Sequence, residues 1–414
     1  MSKDERTEAN QEVFRRMCAS EPVLTDLRPS LEVLPNMTKN TILTSGPILP
    51  WCEYYGGQRD AILGGALFEG LASSLTDADD KISSGQIKLG NCHDYNCVGS
   101  LAGIYTASMP VFVVENTAFG NIGYCNIYEG TNPKRLNYGV YDEGVRKRLL
   151  FVQETLAPVI REAIRFRGGI ELKPIMQRAL HMGDELHSRN TAASLLFANE
   201  LFPSLLKLYS GNGKNIEDSL NALTEDHYFF LRLSMAAAKC MADAAHNIEF
   251  SSAVTAMAFN CKNFSIRVSG LGDKWFTGPH ASVNATLFEG YTDDDIAWMG
   301  GESPITETVG LGGFAQACAF PLQRYQGGSA EVMAKQNLDL YKITIGEHTD
   351  FRIPYLDYRG TPTGIDIFRV AAENILPIMD IGIAGKDGGQ IGAGIVRAPM
   401  ECFSTSVQSY VEQY

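Results

Sequence analysis

Several things are scarce in this chain, and each scarcity narrows its class. No apolar run reaches the ~20 residues that a transmembrane helix needs. The first residues, Met1-Ser2-Lys3-Asp4-Glu5-Arg6, are charged and lack a signal-type apolar region. No Cys-x-x-Cys pair occurs among the nine cysteines, an odd number scattered over the length, which argues against a zinc ribbon and a disulfide framework. Lys/Arg runs are missing too. With 35 basic against 48 acidic residues the net charge is −13, which speaks against a nucleic-acid surface. What remains is a globular, enzyme-like chain of 414 residues, 45% apolar with 40 glycines, long enough for two or three domains. A cytoplasmic protein with reduced thiols is expected, with no membrane or nucleic-acid partner.

The pattern along the chain predicts an α+β fold in three parts: a mixed α/β unit over 1–145, a helical domain over 146–248 and a second mixed α/β unit over 249–414. Pro110 to Asn116 reads as a buried strand with an abrupt polar end. Asp142–Phe166 and Asn215–Asn247 read as helices, while Pro22 to Pro35 is broken by prolines. Asp366 is placed as the cap of a following helix. An echo links the two outer parts: Gly65-Ala66-Leu67-Phe68-Glu69-Gly70 is answered by Asn284-Ala285-Thr286-Leu287-Phe288-Glu289-Gly290. The echo admits a duplication or chance reuse.

One stretch gathers the most chemistry: His181-Met182-Gly183-Asp184-Glu185-Leu186-His187-Ser188-Arg189-Asn190. It is read inside one amphipathic helix from about Pro174 to Leu201, with Pro203 as the stop. Residues three and four apart are neighbours on a helix, so His181, Glu185 and Arg189 form one stripe and Asp184 and His187 another. A solvated, salt-bridged face is the alternative reading. Cys92-His93-Asp94-Tyr95-Asn96-Cys97 follows a predicted strand and offers His93 as an acid or base. No second ligand cluster completes a metal site, so neither metal nor cofactor is expected. Glu115, Asn116 and Asn121 put a carboxylate and two amides at a strand end, suited to an amide-bearing ligand or to turn chemistry. Glu307 opens a glycine-rich turn, Gly310 to Gly313, whose amides could receive an anion. Gly382 to Gly394, with Gly389, Gln390 and Gly392, is the most glycine-dense part and reads as backbone approaching a ligand or as a packed hairpin.

Together these pieces resemble the family that includes one subunit of the oxamate carbamoyltransferase of anaerobic allantoin breakdown. The resemblance runs from Ala9-Asn10-Gln11-Glu12 to Pro399-Met400-Glu401-Cys402-Phe403. Its most specific parts are Val114-Glu115-Asn116, Phe119-Gly120-Asn121, Met182-Gly183-Asp184-Glu185 with His187 and Arg189, Glu307-Thr308 with Gly310-Leu311-Gly312-Gly313-Phe314, and Gln390-Ile391-Gly392-Ala393-Gly394.

The resemblance implies carbamoyl transfer between oxamate and phosphate, that is, splitting of oxalurate by phosphate in purine nitrogen catabolism. It also implies an acyl-CoA-synthetase-like partner subunit, and a homo-oligomer is expected. Such chemistry needs anion subsites, oxyanion stabilisation and a proton shuttle. The expected catalytic set is His93, Glu115, Asp184, His187 and Arg189. The expected substrate contacts are Asn116, Asn121, Glu185, Asn190, Glu307, Gly310, Gly312, Gly313, Gly389, Gln390 and Gly392. Arg189 is expected to grip the substrate carboxylate across a cleft shared with Glu115–Asn121 and both glycine loops. Ser188-Arg189-Asn190-Thr191 resembles the phosphate loop of ordinary transcarbamoylases but is expected mid-helix. A non-catalytic subunit, or a hydrolase or lyase of another small amide or acid, are the alternatives.

Overall fold

The computed structural model describes residues 3–280, 282–323 and 329–414. Its elements are mixed as expected, helices and sheets in an α+β arrangement. The larger sheet has five strands in the order Cys97–Val98, Ile122–Asn126, Pro110–Asn116, Pro22–Pro29, Ile170–Glu171. Pro22–Pro29 is therefore a strand and not an irregular proline-broken segment. It pairs antiparallel with Pro110–Asn116, with a register shift between Leu24 and Asp26.

Against this sheet lies the helix Leu231–Ala244, enclosed on nearly every side. All its residues but Asp243 are buried. Alanines at 236, 237, 238 and 242 keep it slim, so it can lie directly on the strand Ile122–Asn126. Gly123 faces it; a Cβ there would stand 2.7 Å from Ala236 O, so only glycine permits this approach. A buried helix tolerates polar side chains only where they meet partners or a cavity. This one carries two buried cations, Arg232 and Lys239, two turns apart.

The C-terminal part adds a four-stranded antiparallel sheet in which the hairpin Ile378–Gly385 and Gln390–Arg397 is central, flanked by Ser282–Leu287 and Ile296–Ala297. The glycine-dense stretch is this packed hairpin. The largest apolar core draws on all three lengths of chain, from Val13 and Phe112 through Ile160 and Leu201 to Ile305 and Phe351. The Phe-Glu-Gly echo does not mark repeated local structure: Gly65–Phe68 ends the helix Gly56–Phe68, whereas Asn284–Leu287 belongs to a strand. Asp366 does cap the helix Ile367–Glu373, accepting from Phe368 N at 3.0 Å. No helix among the described residues is long and apolar enough to cross a membrane.

The expected helix from Pro174 to Leu201 is two helices, Leu172–His181 and Thr191–Glu225, joined by the loop 182–190. Pro203 does not stop the second helix but lies inside it. Gly183 takes φ +101° and Leu186 φ 71°, both incompatible with helix. The Glu185 carboxylate closes the loop, accepting the amides of His187 at 2.6 Å, Ser188 at 2.5 Å and Arg189 at 3.1 Å. Asp184 accepts Ala193 N at 2.8 Å at the start of the next helix. Asn190 is the cap residue there and donates from Nδ2 to His187 O at 2.7 Å.

Candidate functional site

A pocket of about 960 Å³, mouth included, opens where these parts meet. Arg135, Arg232, Glu129, Asn137, His187 and Gln390, with Tyr128 and Ser188, are among its polar lining. Local structure explains how each arrives there. The Glu129 carboxylate accepts Leu136 N at 2.6 Å, Asn137 N at 3.0 Å and Asn137 Nδ2 at 2.6 Å, folding 129–137 into a tight loop. That loop aims Arg135 inward, where Nη2 donates to Gln390 Oε1 at 2.8 Å and Nη1 to Gly130 O at 3.2 Å and to the Tyr128 hydroxyl. Arg232 enters from the first turn of the buried helix, its Nη1 donating to Asn126 Oδ1 at 3.0 Å.

Both guanidinium groups lie over the Tyr128 ring, Arg135 at 5.0 Å and Arg232 at 5.4 Å from its centroid, and Tyr228 stacks on that ring. They are 3% and 2% exposed, and among the described residues neither has a carboxylate within 4 Å. The Nε of each is buried without a hydrogen-bond partner. Buried cations are normally paired. Burial works against the charge of Arg135, but Tyr128, Tyr138 and Glu129 outweigh it and hold its pKa above the ordinary value. Two guanidiniums in one pocket, neither with a carboxylate within 4 Å, are fit to receive an anion.

His187 lines the same pocket and is held from behind. Its Nδ1 lies 2.7 Å from Glu307 Oε1 and 3.2 Å from Thr306 Oγ1, leaving Nε2 for the pocket. Burial opposes protonation of His187, yet the Glu307 charge prevails and its pKa is raised. Glu307 in turn accepts Gly313 N at 3.0 Å and Asp380 N at 3.1 Å. Two more acids crowd behind it: burial lifts Asp380 to about 6, and burial with the Asp380 charge lifts Glu185 well above the carboxylate range. The arrangement is an imidazole backed by a carboxylate, fit to carry a proton.

The sequence model of the family described as oxamate carbamoyltransferase subunit AllG matches residues 87–303. The Escherichia coli (strain K12) oxamate carbamoyltransferase subunit AllG is 36% identical over 98% of this chain and 97% of its own length. The chain belongs to this AllG family. Another E. coli relative, the uncharacterized protein YahG, is 39% identical over 99% of this chain and 87% of its own. A crystal structure of a conserved protein of unknown function from Enterococcus faecalis V583 superposes with a TM-score of 0.95 at 37% identity, covering 98% of each chain. The stretch matched to the AllG family contains Arg135, His187 and Arg232; Glu307 and Gln390 lie beyond it.

The expected site residues divide. His187 and Gln390 line the pocket, and Glu307 reaches it through His187 and not through a substrate. Glu185, Asp184 and Asn190 shape the loop that presents His187. Arg189 does not face this cleft: its Nε donates to Gly183 O at 3.0 Å and lies 3.5 Å from Asp184 Oδ1, on the loop's own backbone side. Nor is Ser188-Arg189-Asn190-Thr191 mid-helix; it opens a helix, and its first two amides are engaged by Glu185. Glu115 is exposed on its strand. Asn116 accepts Glu21 N at 3.1 Å and donates to Ser20 Oγ at 3.0 Å, and Asn121 donates to Cys240 O at 2.9 Å. These amides tie chain segments together, away from the pocket lining.

The glycine amides offer no anion cradle either. Gly312 N donates to Glu185 O at 2.8 Å and Gly389 N to Tyr138 O at 2.9 Å, while Gly392 sits in the sheet beside Leu287. Gly310 is small for packing, since a Cβ would stand 2.2 Å from Thr363 Oγ1.

His93 belongs to a different cleft, with Asn91, Asp94, Arg267 and Trp275. Lys239 Nζ stands 3.1 Å from its Nδ1, and burial, with the charges of Lys239 and Arg267, holds its pKa well below the usual value. Sequence reasoning missed Arg135 and Arg232. The only trace of Arg232 was a lone arginine opening an alanine-rich apolar helix.

Proposed function

We propose that this chain is the substrate-binding, proton-transferring subunit of a carbamoyltransferase that interconverts oxalurate plus phosphate with oxamate plus carbamoyl phosphate. The AllG relative's name supports the reaction, and the pair Arg135 and Arg232, neither ion-paired within 4 Å, beside His187 is the observation that carries the site. Arg232 and Arg135 would hold the substrate carboxylate by charge-assisted bonds. A phosphate oxygen attacks the carbamoyl carbon, the bond from that carbon to the oxamate nitrogen breaks, and the nitrogen takes a proton from His187 Nε2. Glu307 favours the imidazolium that supplies it. An acyl-CoA-synthetase-like partner subunit is part of this proposal, as the word subunit in the relative's name suggests a complex.

Carbamoyl phosphate formation from oxalurate and phosphate, measured on the chain with its partner subunits, tests this. Arg232→Ala and His187→Ala should each remove nearly all turnover. Wild-type turnover in both variants would sink the assignment of the site.

A further inference from the structure

The arginine pair accounts for one part of the pocket and leaves a second set of donors on its wall unused. Two loops meet there: Ser100 and Leu101 of one, and Gly300, Gly301 and Ser303 of the other, line the pocket. Glu302 joins the loops, its amide donating to Gly99 O at 2.7 Å and its carboxylate accepting Gly99 N at 2.9 Å. The first loop is moored to the loop that carries Arg135, Ala102 N donating to Asn137 O at 3.1 Å. The second is moored to His187 through Thr306, whose Oγ1 stands 2.8 Å from Ser303 O and 3.2 Å from His187 Nδ1.

Among the described residues the amides of Ser100, Leu101, Gly300 and Ser303 find no acceptor, and the hydroxyls of Ser100 and Ser303 find no partner. Both serines are buried. Buried polar groups are normally hydrogen-bonded, so donors left open on a pocket wall call for an acceptor inside the pocket. Leu101 takes φ 53°, the left-handed region that a side chain of its size rarely adopts. Residues in that conformation turn successive amides to one side, as in anion-binding nests. The acids nearby are covered by other donors. Glu302 accepts Gly46 N and Gly99 N at 2.9 Å each, and burial lifts its pKa to about 7. Glu129 is engaged by Leu136 and Asn137 of its own loop.

We infer that these two loops form the phosphate subsite, Ser100 and Ser303 donating their hydroxyl hydrogens and the open amides completing the set. The inference rests on the reaction proposed above and adds the place of its second substrate. Uncharged donors here leave Arg135 and Arg232 for the carboxylate of oxalurate. Phosphate so held stands on the His187 side of the pocket. The scissile bond must lie there too if its nitrogen is to take a proton from His187 Nε2.

Inorganic phosphate titrated calorimetrically into the full chain, with and without saturating oxamate, tests the subsite. Phosphate should bind with oxamate present, because the two anions use different donors. Ser100→Ala and Ser303→Ala should each weaken phosphate at least ~10-fold, the loss of one hydrogen bond to a charged group, and leave oxamate affinity within ~2-fold. A melting curve identifies a variant that fails to fold, and the other then serves. Competition between oxamate and phosphate, or phosphate affinity unchanged in both variants, overturns the inference while the arginine subsite stands. Equal losses of oxamate and phosphate overturn it as well, since the serines would then shape the whole pocket. Oxamate that fails to bind the unsubstituted chain overturns the arginine subsite instead, whatever phosphate does.

Discussion

The buried helix Leu231–Ala244 carries one cation at its first turn and one two turns later, and the two meet opposite circumstances. Lys239 is satisfied within the protein: its Nζ reaches Asp243 at 2.8 Å and His93 Nδ1 at 3.1 Å. Arg232, equally buried, has an amide oxygen for one donor and no carboxylate within 4 Å among the described residues. The same distinction separates the histidines. His93 faces positive charge and is held neutral, whereas His187 faces Glu307 and is held toward its charged form. Burial alone therefore does not mark a functional group. What separates these groups is the partner that each one meets.

Arg232→Met should break this comparison most strongly. Two charge-assisted bonds of about 1.5–3 kcal/mol each would be lost, so oxamate affinity should fall at least ~100-fold by calorimetry. Melting temperature should hold or rise, because a buried cation without a carboxylate gives way to an apolar chain. A fall of many degrees would show that Arg232 is structural.

Lys239→Met should do the reverse. Breaking its contacts costs on the order of 1–3 kcal/mol, discounted because Asp243 is partly solvated, and thermal unfolding reads it. Oxamate affinity should move less than ~3-fold on the same scale. A larger loss would join the His93 cleft to the site.

The pH dependence sharpens the histidine contrast. His187 has a raised folded pKa, so its contribution is fully present below the unfolded value near 6.5 and is lost as pH rises through the folded value. His93 has a lowered one, so the folded state loses stability as pH falls below about 6.5. Melting curves of His187→Gln should therefore differ from wild type most at acid pH, with the wild-type advantage shrinking as pH rises. His93→Gln should relieve the acid limb by roughly 1–2 °C. Parallel difference curves for the two variants would contradict the assignment.

Arg189→Lys should have the smallest effect, less than about 2-fold on affinity, because the side chain serves the loop 182–190 and not the pocket. A tenfold loss would restore Arg189 to the site.

Much of the fold was legible because it depends on local pattern. The strand Pro110–Asn116 and the cap at Asp366 follow from apolar runs and capping chemistry, whereas the helix expected over Asn215–Asn247 is broken, Thr191–Glu225 ending before Leu231–Ala244 begins. The loop 182–190 was not legible as a loop. Carboxylates and histidines spaced three and four apart suit a helical stripe, and equally a loop whose carboxylates bind its own amides. Only the φ of Gly183 and Leu186 and the bonds of Glu185 distinguish the two.

By itself, then, the sequence determined the α+β class and the AllG-type motifs, and it offered His187 and Glu307, which the fold brings together at 2.7 Å. Tertiary structure alone decided which cations line the pocket. Arg135 and Arg232 are lone arginines in different segments, and they become a pair only when both come to rest over Tyr128. The want of a carboxylate beside them is equally a property of three-dimensional neighbours. Charge satisfaction is set by distance in space, and spacing along the chain does not encode it.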